Sequence, residues 1–153
     1  MTKRVAKGIW LYGLAGSGKS YASKAIARQI NHAFIIDGDN VREKISFDLG
    51  YTSNDRVIQI NRLLGIGQLS IENNCYPVIS SVYMNNEIFN RAVAVGIKVL
   101  RIDRDNSQLM QVRELYSKNT NVVGKDIKLP RVNADVVINA GDSKFIQSVL
   151  QHV

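Results

Sequence analysis

Eight consecutive residues, Gly13-Leu14-Ala15-Gly16-Ser17-Gly18-Lys19-Ser20, constrain this chain more than any other feature. They fill every position of the pattern G-x-x-x-x-G-K-[ST]. They also lie between an apolar run, Ile9-Trp10-Leu11-Tyr12, and a stretch that reads as helix from about residue 18, the context this motif requires. Glycines at these positions leave no Cβ in the way of a phosphate, and the backbone N–H groups can turn inward at the positive end of a helix. Lys19 is expected to reach the β- and γ-phosphates of ATP, and the Ser20 hydroxyl to ligate Mg²⁺.

The rest of the chain alternates in the manner such a loop needs. Gly8-Ile9-Trp10-Leu11-Tyr12, Ala33-Phe34-Ile35-Ile36, Pro77-Val78-Ile79-Ser80, Ile97-Lys98-Val99-Leu100-Arg101-Ile102 and Asp135-Val136-Val137-Ile138 read as strands. Several are almost continuously apolar, as in a parallel sheet covered on both faces. Helical spacing falls at about residues 18–31, 54–74, 86–95, 106–118 and 143–151. The pattern predicts an α/β chain with the P-loop NTPase fold, a doubly wound, mostly parallel sheet with helices on both faces. Residues 119–133 have weak periodicity and read either as a mobile loop near the site or as a plain surface connection.

A length of 153 residues fits one domain, expected to span 1–153, with 45% apolar and 22% charged residues. No apolar run approaches the roughly 18 residues of a membrane span, and the basic Met1-Thr2-Lys3-Arg4 leads into too short an apolar stretch for a signal peptide. A cytoplasmic protein with no membrane partner is expected. Twenty Lys and Arg against thirteen Asp and Glu give a net charge of +7. The basic residues are scattered and do not interleave with aromatics, so a polyphosphate rather than nucleic acid is the expected anion. Cys75 has no partner for a disulfide and reads as a small buried or half-buried thiol. His32 and His152 read as ordinary surface or element-end residues, and Tyr76, Tyr83 and Phe89 as core or cleft wall.

Other users of this loop leave marks that are missing. There is no Asn-Lys-x-Asp guanine-reading motif, no apolar run ending in Asp-Glu, and no room for a helicase or motor. A small-molecule kinase is the expectation. After the second strand stands Asp37-Gly38-Asp39-Asn40-Val41-Arg42, where a parallel sheet lines its ligand crevice. One aspartate can assist Mg²⁺ or take the acceptor hydroxyl's proton while the other orients the acceptor. Asp39 equally suits a helix N-cap.

That block, followed by Asp48-Leu49-Gly50-Tyr51, Asp55-Arg56 and Arg62, resembles the adenylylsulfate (APS) kinases over residues 7–62, and more loosely to Val153. The resemblance implies transfer of the ATP γ-phosphate to the ribose 3′-hydroxyl of a small anionic nucleotide, in sulfate assimilation. It implies Asp37 as the catalytic aspartate near Mg²⁺, with Asp39 beside it. Arg42 and Arg56 would hold the acceptor's anionic groups, and Tyr51 would be an aromatic stacking on its base. Guanidinium forks suit phosphate and sulfate oxygens independently of any resemblance. Arg113-Glu114-Leu115-Tyr116-Ser117-Lys118 resembles the start of the family's lid, giving a candidate lid at 113–131. A homodimer is kept as an open expectation.

The departures cluster on the acceptor side. Ile58-Gln59-Ile60-Asn61-Arg62 stands where the family has Glu-Asn-Ile-Arg-Arg, so Gln59 replaces an acceptor-contacting asparagine. Ser81-Val82-Tyr83-Met84 puts Val82 at an adenine-sandwiching aromatic. Two alternatives follow. One is the same chemistry on another acceptor, such as cytidine diphosphoramidate in surface-polysaccharide (capsule) biosynthesis. The other is a non-catalytic nucleotide-binding module.

Overall fold

The computed structural model describes residues 5–104 and 121–153. The helix expected at 106–118 and the first part of the candidate lid, 113–120, lie outside the described residues. Five strands appear where apolar runs predicted them: β1 Gly8–Tyr12, β2 Ala33–Asp37, β3 Tyr76–Ser81, β4 Ile97–Arg104 and β5 Asp135–Asn139. They form one parallel sheet in the order β2-β3-β1-β4-β5. Helices α1 Lys19–Gln29, α2 Gly38–Lys44, α3 Ser53–Glu72, α4 Asn86–Ala94 and α5 Lys144–Leu150 connect and flank it.

The two faces of the central strand organise the core. Ile9 and Leu11 point into one apolar cluster with Ala22 and Ile26 of α1 and Phe145 and Val149 of α5. Trp10 and Tyr12 point into another with Ile60, Leu63 and Leu64 of α3 and Ile88 and Ala92 of α4. Alternate residues of a strand face opposite ways, so a strand buried on both sides must be apolar throughout, as β1 is. Each fully buried aliphatic side chain here contributes roughly 1.5–3 kcal/mol.

Helix starts follow local chemistry. Thr52 and Asp55 form a reciprocal capping box at α3, and the Asn85 side chain caps α4. Helix α2 departs from expectation. It begins at Gly38 with Asp37 in the cap position, so Asp39 sits inside the first turn and does not cap it. The reason is steric: a Cβ on Gly38 would lie 2.9 Å from the Ser80 carbonyl oxygen, and only glycine lets the chain turn into a helix so close to β3. Asp37 makes no capping bond either; its carboxylate turns towards β3.

All strands run the same way, so Tyr12, Asp37, Ser81, Arg104 and Asn139 end at one edge. The chain lays β2 and β3 on one side of β1 and β4 and β5 on the other. In such a sheet the crevice outside the carboxyl ends is the natural place for a ligand.

Candidate active site

A cleft of about 690 Å³ opens at that edge. Ala15, Gly16, Gly18, Lys19 and Ser20 form one wall, Asp37, Asp39 and Arg42 the floor, and Tyr51, Arg56 and Gln59 the far side. Thus eleven of the residues expected from sequence converge on one space. Gly13, Leu14 and Ser17 do not line it. Gly13 and Ser17 are instead buried supports of the loop.

The loop is braced from outside itself. Gly13 N–H donates to the Ser81 carbonyl at 3.2 Å. A Cβ on Gly13 would sit 2.2 Å from the Ile102 carbonyl oxygen. Asn139 Nδ2 donates to the Ser17 carbonyl at 2.9 Å, while its Oδ1 accepts from Gly141 N–H. Gly16 and Gly18 adopt φ of 81° and 102°, which other residues rarely tolerate. Lys19 Nζ donates to the carbonyls of Gly13 at 2.7 Å and Leu14 at 3.0 Å. Burial lowers its pKa to about 8, against the pull of the Asp39 and Asp37 carboxylates.

Asp37 and Ser80 are register partners across β2 and β3, and Ser80 Oγ donates to Asp37 Oδ1 at 3.1 Å. Gln59 is 4% exposed; its Nε2 donates to the Gly38 carbonyl at 3.1 Å, and its Oε1 has no partner. A carbonyl can only accept, which fixes which end of the amide is which.

The two arginines gather on Tyr51. Arg42 lies 4.4 Å and Arg56 5.5 Å from the ring centroid. Arg42 Nη1 also donates to the Gly50 carbonyl at 2.7 Å, and Arg56 to the carbonyls of Tyr51 and Asn121 at 3.2 and 2.9 Å. Burial, then the neighbouring Arg42 charge, holds Arg56 below the usual guanidinium range. Through Asn121, Arg56 anchors a short turn whose Val122 and Val123 line the cleft. The described part of the 119–133 segment therefore borders the site. Val82 and Tyr83 both line it, so an aromatic ring stands one position beyond the valine.

Other residues of the same block serve the scaffold. Arg62 pairs bidentately with Asp48 at 2.6 and 2.8 Å, and Asp55 completes the α3 cap; none of the three lines the cleft. Cys75 is half-buried, as expected. His32 is exposed, and His152 lies 3.8 Å from Asp135. Sequence reasoning missed Ser80, Asn139 and the Asn121 carbonyl. Each acts through a partner at least 43 positions away, and nothing local in the chain signals that. Among the described residues no three His, Cys, Asp or Glu side chains gather as a metal cluster, and no helix is long and apolar enough to cross a membrane.

The sequence model of the family described as Adenylylsulphate kinase matches residues 5–121. The adenylyl-sulfate kinase of Phocaeicola vulgatus is 34% identical over 91 residues, covering 57% of this chain and 45% of that protein. This chain therefore matches about half the length of that relative. In fold, the chain is similar to the Mycobacterium tuberculosis APS kinase CysC solved with AMPPNP and APS. The TM-score is 0.79 at 20% identity, covering 97% of this chain and 98% of that one. It is also similar to shikimate kinase from Aquifex aeolicus, with a TM-score of 0.58 at 17% identity over 94% and 93% of the chains.

Proposed function

This chain belongs to the adenylylsulphate kinase family, and from that premise we propose that it transfers the γ-phosphate of ATP to a ribose 3′-hydroxyl of adenylylsulfate or a closely similar anionic nucleotide. The observation that carries the reading is the single cleft joining the phosphate loop to Asp37 and to the Arg42–Tyr51–Arg56 group. Residues 1–153 act as one kinase domain, with 113–131 as its lid.

In this reading the backbone of Gly13 to Ser20 and Lys19 hold the ATP phosphates. Lys19 exchanges its loop carbonyls for the β- and γ-phosphates. Asp39, Arg42, Arg56 and Gln59 hold the acceptor, beside Tyr51. The Ser20 hydroxyl and Asp37 carboxylate, both on the cleft wall, are the hard oxygen donors Mg²⁺ prefers. Held there, Mg²⁺ would supply positive charge against the ATP phosphates. Asp37 orients the acceptor hydroxyl. Its oxygen forms a bond to the γ-phosphorus as the bond to the bridging oxygen breaks, leaving that electron pair on ADP. The hydroxyl proton passes to Asp37. Closure of the lid keeps water from taking the hydroxyl's place.

One observation favours a second acceptor. Val82 and Gln59 both face the cleft at positions where the family's aromatic and asparagine are expected. A smaller base, as in cytidine diphosphoramidate, suits that wall. The test is ADP release from Mg-ATP with adenylylsulfate and with cytidine 5′-diphosphate and phosphoramidate acceptors. Turnover with adenylylsulfate supports the first acceptor, and turnover with the cytidine compounds alone supports the second. ATP binding with no acceptor-dependent ADP release would leave a nucleotide-binding module and overturn the kinase reading.

A further inference from the structure

Asp37 is the last residue of β2, and Ser80 stands beside it in the β2–β3 register. Ser80 is 3% exposed yet reaches the cleft wall, and Ser80 Oγ donates to Asp37 Oδ1 at 3.1 Å. The next residue, Gly38, is held from two sides. The Ser80 carbonyl lies where its Cβ would be, and Gln59 Nε2 bonds its carbonyl. The backbone at Asp37 is thus pinned, but its carboxylate has one described side-chain partner, the Ser80 hydroxyl. A carboxylate on a short side chain has a few staggered rotamers, separated by small energies when no partner selects among them. A buried hydroxyl donating to one oxygen selects one rotamer and leaves the other oxygen free to accept.

We infer that Ser80 is a positioning residue for Asp37, occupying Oδ1 so that Oδ2 is presented to the acceptor hydroxyl. The inference rests on the kinase reading for its catalytic consequence and on geometry alone for its structural one. β3 lies directly between β2 and β1, so Ser80 has Asp37 as its register partner on one side and Leu11, of the strand that launches the phosphate loop, on the other. A second carboxylate at this position would repel Asp37, whereas a hydroxyl donates to it.

The experiment compares wild type, Ser80→Ala and Ser80→Thr in two measurements. Three-bond NMR couplings report the χ1 angle of Asp37. A single rotamer is expected in wild type and Ser80→Thr, and averaged couplings in Ser80→Ala. Steady-state ADP release is the second measurement. Ser80→Ala is expected to lower kcat by about ten- to a hundredfold, with KM for ATP and acceptor within about twofold. Threonine should restore kcat to within about threefold. In an Asp37→Ala background, Ser80→Ala should have no further effect, because nothing remains to position. An unchanged Asp37 rotamer in Ser80→Ala overturns the inference, as does an equal loss in the Asp37→Ala background. A wild type silent with every acceptor overturns the kinase reading instead, and the χ1 measurement still decides for or against Ser80.

Discussion

The guanidinium of Arg42 lies 4.4 Å from the centre of the Tyr51 ring, and both residues face the cleft. With Arg56 at 5.5 Å from the same ring, the tyrosine holds two like charges together where they would otherwise separate. A cation–π contact at an exposed site is worth about 0.5–1 kcal/mol. Tyr51→Ala should therefore raise the acceptor KM about five- to thirtyfold while the KM for ATP stays unchanged. Tyr51→Phe, which keeps the ring, should behave as wild type. A parallel rise in both KM values would show that the ring acts on the whole fold.

In the proposed mechanism Lys19 exchanges its loop carbonyls for the transferring phosphates, so Lys19→Ala should cut kcat/KM at least about a thousandfold. The same change removes a half-buried charge and should leave the melting temperature level or slightly raised. Near-normal turnover would remove Lys19 from the mechanism.

The pH dependence of nucleotide binding follows from the same residue. Its pKa is lowered from 10.5 to about 8, so the ammonium is charged below that value and neutral above it. Bound phosphates favour the charged form and raise the pKa again. ATP affinity should therefore hold steady up to about pH 7.5 and weaken by up to about tenfold per unit above pH 8. Calorimetric titration checks this, and Lys19→Met should abolish the slope.

Gly13→Ala tests the base of the loop. The added methyl would meet the Ile102 carbonyl at 2.2 Å, a clash with backbone that no rotamer change relieves. We expect a loss of about 3 kcal/mol. That lowers the melting temperature by roughly 6 to 12 °C.

Asn139→Ala leaves the Ser17 carbonyl and the Gly141 N–H without their partner. A cost of about 1–3 kcal/mol is expected from denaturant unfolding. ATP binding should weaken as well, because Ser17 lies inside the loop. Asn139→Asp should do no better, since a carboxylate cannot donate to the Ser17 carbonyl.

Much of this site was legible in the chain because its chemistry is local. The phosphate loop needs consecutive residues of particular kinds, and the five strands needed apolar runs; both stand where expected. What sequence could not show is lateral. The order β2-β3-β1-β4-β5 decides that Ser80 lies beside Asp37, and a serine ending a strand carries no mark of its neighbour. Helix α2 went unread because its start depends on the distance from Gly38 to another strand's carbonyl. Asp39, a good capping residue by type, consequently lies two positions past the cap. The cleft's far side was legible by residue type, but the gathering of both arginines on Tyr51 depends on how the connection from α2 to α3 folds.

The phosphate loop hangs from a strand flanked on both sides, is tied down by Ser81 and Asn139, and has the Ile102 carbonyl close against Gly13. Arg42 lies in the short helix α2, Tyr51 in the connection that follows it and Arg56 in the first turn of α3, all at the rim of the cleft. Side chains at the centre cannot change without disturbing the fold, whereas those at the rim can be exchanged one at a time. A lineage built on this plan would retool what it phosphorylates long before it lost what it phosphorylates with.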